Sequence, residues 1–236
     1  MDRSAAKTAG KAGAKAGGEA ESAATAVTER PAPAEGSARN AIEERREGRK
    51  DEIVRAAQDL FHRQGYANTS LDDIARAVGI KREGLYYYFQ NRTQILITII
   101  KPLGLQLRES VRGILESDDA PEEKIRRAVE NHLRRFENRF AESKITLRDD
   151  YFSENETVLA EMGPIWDEYE DLWAAIIAEG QEKGVFDPDL DPRLAFLGIL
   201  GLCNWVARWY EPGKSIPVPE LIGMYNRMVA RSLRRD

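Results

Sequence analysis

The sequence holds one cysteine, Cys203, and two histidines, His62 and His132, in 236 residues. That scarcity excludes an internal disulfide framework and any zinc module built from Cys and His. No spacing of these residues matches a metal site, so neither a metal nor another cofactor is expected. A phosphate-cradling glycine loop is also missing. The acidic pairs Asp118-Asp119 and Asp149-Asp150 stand beside arginine or at a loop, where carboxylates cap or solvate rather than form an acid–base couple. Catalysis is therefore not expected. No run approaches the roughly 18 apolar residues that cross a bilayer, and the start of the chain lacks an apolar signal core. A cytoplasmic protein without a membrane partner is expected, with Cys203 as a small core residue.

A basic surplus is lacking too. Lys and Arg total 35 against 40 Asp and Glu, a net charge of -5, which excludes a uniformly basic nucleic-acid coat. The charge is uneven: residues 1–47 are neutral overall, residues 48–101 carry a net +3 and residues 102–236 a net -8. Any nucleic-acid contact must lie in the middle block and be directed by a motif. Residues 1–40 contain no aromatic side chain and are dominated by Ala, Gly, Ser, Lys and Glu, which predicts a disordered tail. Lys7, Lys11 and Lys15 recur there every four residues, a pattern for a transient cationic helix that could trail along DNA, although an inert linker is the more ordinary reading.

Alternation of polar and apolar residues is absent beyond Gly48, whereas helical periodicity is nearly continuous, so an all-α protein is predicted. Ile53, Ala57, Leu60 and Phe61 share one face of a first helix over about 48–64, closed by Gly65. Thr69 and Ser70 offer N-caps, followed three residues later by Asp72 and Asp73. Leu71, Ile74, Ala75 and Val78 form the apolar face of a second helix. After Gly79 a third helix of similar length runs from near Lys81 to Gln90. Two short helices about four residues apart, with glycine between them, form a helix-turn-helix pattern.

The ordered set from Ile53 to Leu96, with Ala56-Ala57, Leu60-Phe61, Gly65-Tyr66, Thr69-Ser70, Asp73-Ile74-Ala75, Val78-Gly79-Ile80, Leu85-Tyr86 and Phe89, resembles the DNA-binding domain of TetR-family transcriptional regulators. The resemblance implies a three-helix head over residues 48–95 and a helical effector-binding and dimerisation domain over 96–236. It also implies a homodimer that binds a palindromic operator, usually as a repressor, and is released by a small hydrophobic effector. Lys81, Arg82, Glu83 and Gly84 would lie in the first exposed turn of the reading helix. There Arg82 suits a guanine edge, Glu83 a cytosine amine, and Gly84 close backbone approach. The family pattern assigns phosphate contacts to Tyr86, Tyr88 and Arg92, the last two standing where many relatives have His and Lys. Leu85 and Phe89 would anchor the helix from behind. Thr69 and Ser70 fit a phosphate site as well as a plain cap. Tyr87 reads as the packed member of the tyrosine run.

Ile95, Leu96, Ile99, Ile100 and Leu103 continue as a connecting helix that Pro102 should kink or end. Further helices are predicted over about 121–140, 143–152, 155–183, 191–210 and 218–234. Met162, Trp166, Tyr169 and Trp173 form an aromatic stripe that suits ordinary core or, by the resemblance, the lining of an effector pocket together with Leu103, Phe140 and Tyr151. Phe136, Leu147 and Phe152 are further wall candidates. Arg108, Arg134, Arg135 and Arg148 could hold an anionic head group, although surface solvation is the ordinary fate of such residues. The TetR likeness places the dimer on the last two helices, with Gly198, Gly201, Leu202, Trp205, Leu221, Tyr225 and Met228 at the interface. The stretch from Asn204 to Gly213 is similar to a subgroup that regulates fatty-acid and steroid breakdown, which implies an acyl-CoA as one candidate effector. The competing reading is a helical dimeric interaction module without sequence-specific DNA binding.

Overall fold

The computed structural model describes residues 35–138, 140–148, 155–211, 213–214 and 216–234. Among these residues the regular elements are all helices: α1 Glu35–Gln64, α2 Leu71–Ala77, α3 Arg82–Tyr86, α4 Arg92–Leu115, α5 Pro121–Asn138, α6 Phe140–Arg148, α7 Glu156–Glu182, α8 Pro192–Asn204, α9 Val206–Trp209 and α10 Val218–Ser232. The all-α expectation holds. The lysine stripe at 7, 11 and 15 lies outside the described residues, and α1 starts at Glu35, well before the expected start near Gly48. Residues from Ile42 onward form one compact unit.

In the head, Ile53, Ala57 and Phe61 of α1 are buried at helical spacing. Gly65 closes the helix at φ 88°, its N–H donating to the Phe61 carbonyl at 3.0 Å. Ser70 caps α2. Its hydroxyl accepts from the Asp73 N–H at 3.1 Å while the Asp73 carboxylate accepts from the Ser70 N–H at 2.9 Å, a reciprocal box that satisfies two otherwise orphaned donors. The Ser70 bonds also hold the Asp73 carboxyl below the usual carboxylate range. Gly79, at φ 67°, turns the chain toward α3, whose Leu85 is buried together with Phe89 beyond its end. The third helix is shorter than predicted, giving way to a turn at Tyr87.

Helix α4 joins two cores. Ile95, Leu96, Ile99 and Ile100 pack in the head core with Ile145, Val158, Met162 and Ile165. Leu103, Leu107, Val111 and Ile114 belong to the larger core built with α5, α7, α8 and α10. The predicted division at 95/96 thus falls within one helix. Pro102 does not end it; α4 runs on to Leu115. Along α4 lies α7, started by Asn155, whose side chain accepts from the Thr157 and Val158 N–H groups. Close approach depends on Gly104, where a Cβ would meet Met162 Cε at 3.1 Å and Ile165 Cγ2 at 3.3 Å. Ion pairs reinforce the seam: Lys101 with Glu161 at 2.6 Å, Arg108 with Glu168 at 3.0 Å, and Arg112 with the same Glu168. Trp166 of α7 packs against both cores. Cys203 on α8 is buried, as expected of a small core residue, and its thiol is pushed up to about 12 by burial.

Candidate nucleic-acid interface and ligand cavity

Lys81, Arg82, Glu83 and Gly84 are all exposed at the start of α3, while Leu85 is fully buried and fixes the opposite side. A Cβ on Gly84 would meet only Ile80 Cβ, at 3.9 Å, so the fold does not require glycine there. Arg82 is already engaged within the head. Its Nη1 donates to Asp72 at 2.9 Å, and its Nε and Nη2 donate to the Tyr86 hydroxyl at 3.2 and 3.0 Å.

Three predicted phosphate contacts need correction. Tyr88 is half-buried against the head core, whereas Tyr87 is 66% exposed with the Arg46 guanidinium 5.3 Å from its ring centroid. The helical step explains the exchange, because position 88 follows buried Leu85 by three residues and leans to the same side. Thr69 is buried, and its hydroxyl donates to the Gly65 carbonyl at 2.8 Å, leaving Ser70 alone as the exposed hydroxyl at the cap. Arg92 turns inward. Its Nη1 donates to the carbonyls of Tyr66, Ala67 and Thr69 at 2.8, 3.1 and 2.6 Å, clamping the turn before α2, with its guanidinium 4.1 Å from the Tyr66 ring centroid.

A cavity of about 410 Å³ opens beside α7, a volume typical of small-molecule sites. Its wall includes Met162, Trp166 and Tyr169 from the predicted stripe. Leu103 and Trp173 are buried in the core and do not line it. Tyr151 and Phe152 lie outside the described residues, as do the Phe140, Leu147 and Arg148 side chains and the pair Asp149-Asp150. The polar side chains of the wall include His132, Arg135 and Asn204, which bond to one another, and the acids Asp167 and Glu170. The Asn204 Oδ1 accepts from Arg135 Nη2, and because an oxygen facing a guanidinium can only accept, His132 Nε2, 2.9 Å away, carries the proton. His132 Nδ1 then accepts from the Tyr169 hydroxyl at 2.9 Å. Burial, assisted by the neighbouring Arg135 charge, holds His132 well below the ordinary imidazole range, so it is neutral. Burial also lowers Arg135, to about 10, which leaves it charged at neutral pH.

On the outer side of α8, α9 and α10, Leu194, Leu197, Trp205, Met224 and Met228 are exposed. Gly198 and Gly201 are exposed beside them, with no atom within 4 Å of an added Cβ, and Leu202 is half-buried. Leu221 and Tyr225, predicted at the dimer interface, instead belong to the chain's own core.

Two family models match the chain: bacterial regulatory proteins of the tetR family over residues 53–99, and the tetracyclin repressor-like C-terminal domain over residues 118–233. The transcriptional regulator EthR of Mycolicibacterium smegmatis is 30% identical over 161 residues, covering 66% of this chain and 71% of EthR. The chain belongs to the tetR family. The transcriptional repressor KstR2 of Rhodococcus jostii is 29% identical over 191 residues, 79% of this chain and 91% of KstR2. The crystal structure of the TetR family regulator PfmR from Thermus thermophilus matches with a TM-score of 0.66 and 32% identity, covering 78% of this chain and 99% of PfmR. This TetR-family member is accordingly a DNA-binding transcriptional regulator, of a family of regulators rather than enzymes, whose members bind operator DNA as dimers and respond to ligands. No helix among the described residues is long and apolar enough to cross a membrane.

Sequence reasoning missed His132 as a cavity residue of this TetR-family chain, and named Arg135 only as one of four arginines that could hold an anionic head group. The signal was present for His132. It continues the buried row Ile125, Ala128, Val129 and Leu133 at helical spacing, so it had to face the core. Arg134, by contrast, is half-exposed and paired with Glu130 at 2.6 Å, as read.

Proposed function

We propose that this regulator is a repressor that grips a palindromic operator as a homodimer and lets go when a small apolar effector fills the cavity beside Trp166. One observation carries the reading: four exposed residues, Lys81 to Gly84, stand at the start of a helix that buried Leu85 locks onto the head. On DNA, Arg82 exchanges Asp72 for a guanine edge, Glu83 accepts from a cytosine amine, and Lys81, Tyr86, Tyr87 and Ser70 meet phosphates. The exposed apolar face around Trp205 supports pairing of two copies, which sets two heads for two half-sites. The relatives' description as repressors supports the direction of control.

Effector and head share parts. Met162 lines the cavity and belongs to the head core, and Trp166 touches both cores. A ligand that moves α7 therefore acts on α4, to which α7 is tied by Lys101-Glu161 and by Glu168 with Arg108 and Arg112. By linkage, the factor by which bound ligand weakens DNA binding equals the factor by which bound DNA weakens ligand binding. The likeness to regulators of fatty-acid and steroid breakdown favours an effector with a hydrocarbon body, either as the free acid or as its CoA thioester.

Selection from a random duplex library at fixed moderate salt tests the reading. The wild type should enrich a palindrome. Arg82→Ala should lose preference at one position per half-site, at a cost of about 1–3 kcal/mol on the selected site alone. Equal losses on selected and random duplexes would remove Arg82 from base reading, and no enriched motif at all would favour an interaction module.

A further inference from the structure

The cavity has a graded wall. Met162, Tyr169, Phe196, His132 and Arg135 are buried at its inner side, whereas Leu159 and Leu197 are exposed at its mouth. Within that apolar surround Arg135 is anomalous. It is only 4% exposed, its Nε has no hydrogen-bond partner, and Nη2 reaches only the neutral amide oxygen of Asn204. Among the described residues no carboxylate is paired with it. The acids nearest the cavity stand elsewhere in its wall: Asp167 is exposed, and Glu170 faces Arg193 at 3.6 Å, which itself bonds Asp171 at 2.7 Å. A buried guanidinium that meets no carboxylate among the described residues is costly, and the partner that suits it is an anion that can accept a forked pair of N–H bonds.

Resting on the reading of this cavity as the effector site, we propose that the effector is an organic acid whose carboxylate pairs with Arg135, its apolar body running outward past Trp166 toward Leu159, Leu197 and Leu200. The Asn204 amide orients the guanidinium, and the neutral His132 imidazole holds Asn204 from the other side. The geometry selects against a thioester entering tail first. Its bulky nucleotide end has to remain outside the mouth, so the hydrocarbon terminus would meet the guanidinium and leave it desolvated and unpaired.

The test uses the full chain, titrated calorimetrically with decanoate, decanol and decanoyl-CoA, in the wild type and in Arg135→Met, which keeps an unbranched side chain without the charge. Decanoate should bind the wild type roughly tenfold or more tightly than decanol, the ratio expected of charge-assisted bonds in a buried site. Arg135→Met should erase that preference. The ligand-free variant should melt no lower than the wild type, since it loses an uncompensated charge rather than an ion pair. Three results overturn the proposal: decanol binding as tightly as decanoate, decanoyl-CoA binding better than decanoate and equally well in both proteins, or no binding by any of the three. A melting temperature several degrees lower in Arg135→Met also overturns it, because the guanidinium would then be part of the scaffold. Decanol or decanoyl-CoA releasing operator without an acid preference leaves the repressor reading standing and removes only the acid, whereas failure to select any operator removes the repressor reading itself.

Discussion

Trp205→Glu should convert the operator-binding dimer into a folded monomer whose operator affinity is about 10²–10⁴-fold weaker. Trp205 is 63% exposed, and Leu194, Leu197, Met224 and Met228 are further large apolar side chains left uncovered on the last helices. Removing that surface from water drives association, and an isologous interface buries the same patch of both copies. Two glutamates there would have to be buried without partners or near each other, which costs several kcal/mol. Operator affinity falls further than any single contact explains, because the second head then no longer binds at the high effective concentration set by the first. Circular dichroism should show unchanged helix, since Trp205 contributes little to its own chain's core. Sedimentation equilibrium checks the assignment, and a wild type that sediments as a monomer at micromolar concentration would sink it.

Gly180→Ala should destabilise the chain by about 3 kcal/mol, visible as a lower midpoint in urea with an unchanged slope. An added Cβ would come within 2.0 Å of Phe186 Cδ2, a distance no packing adjustment of a tenth or two can relieve. Phe186 cannot easily move. The Val185 and Phe186 N–H groups both donate to the Gly180 carbonyl, at 2.8 and 3.1 Å, so the ring is held over the glycine by its own backbone. The same loop anchors the C-terminal end of the chain, the Asp187 N–H donating to the Leu233 carbonyl at 2.9 Å. Expelling the ring would expose a side chain now 3% accessible, which is comparable in cost to its deletion. Combining Gly180→Ala with Phe186→Leu should recover part of the loss; strictly additive losses in the double variant would show that the clash is not its source.

The head was the most legible part of the sequence because its signals are local. Ser70 with Asp73 three residues on, Gly65 and Gly79 each act within one turn of chain, and each stands where the spacing put it. What escaped reading depends on neighbours far along the sequence. Arg92 looked like a phosphate donor, yet carbonyls 23 to 26 residues earlier claim it. Arg135 stood among four arginines that could hold an anionic group, and only its place beside Asn204, 69 residues away, singles it out. The tyrosine run failed for a different reason. Tyr86, Tyr87 and Tyr88 are chemically alike, so composition could not decide which leans inward, and only their offset from Leu85 does. Leu221 and Tyr225 illustrate the same limit at the dimer face, where one amphipathic helix has two apolar flanks and the chain's own core covers one of them.

The lone thiol of this chain has a practical corollary. Cys203 is 1% exposed and burial pushes its pKa up to about 12, so a water-borne thiol reagent has neither access nor thiolate while the helices are closed. With no second cysteine to confuse the signal, the labelling rate becomes a clock for transient opening of the C-terminal helices. Because Cys203 directly precedes Asn204 in the cavity wall, that clock should slow when a ligand occupies the cavity, and it needs neither engineered probe nor DNA to be read.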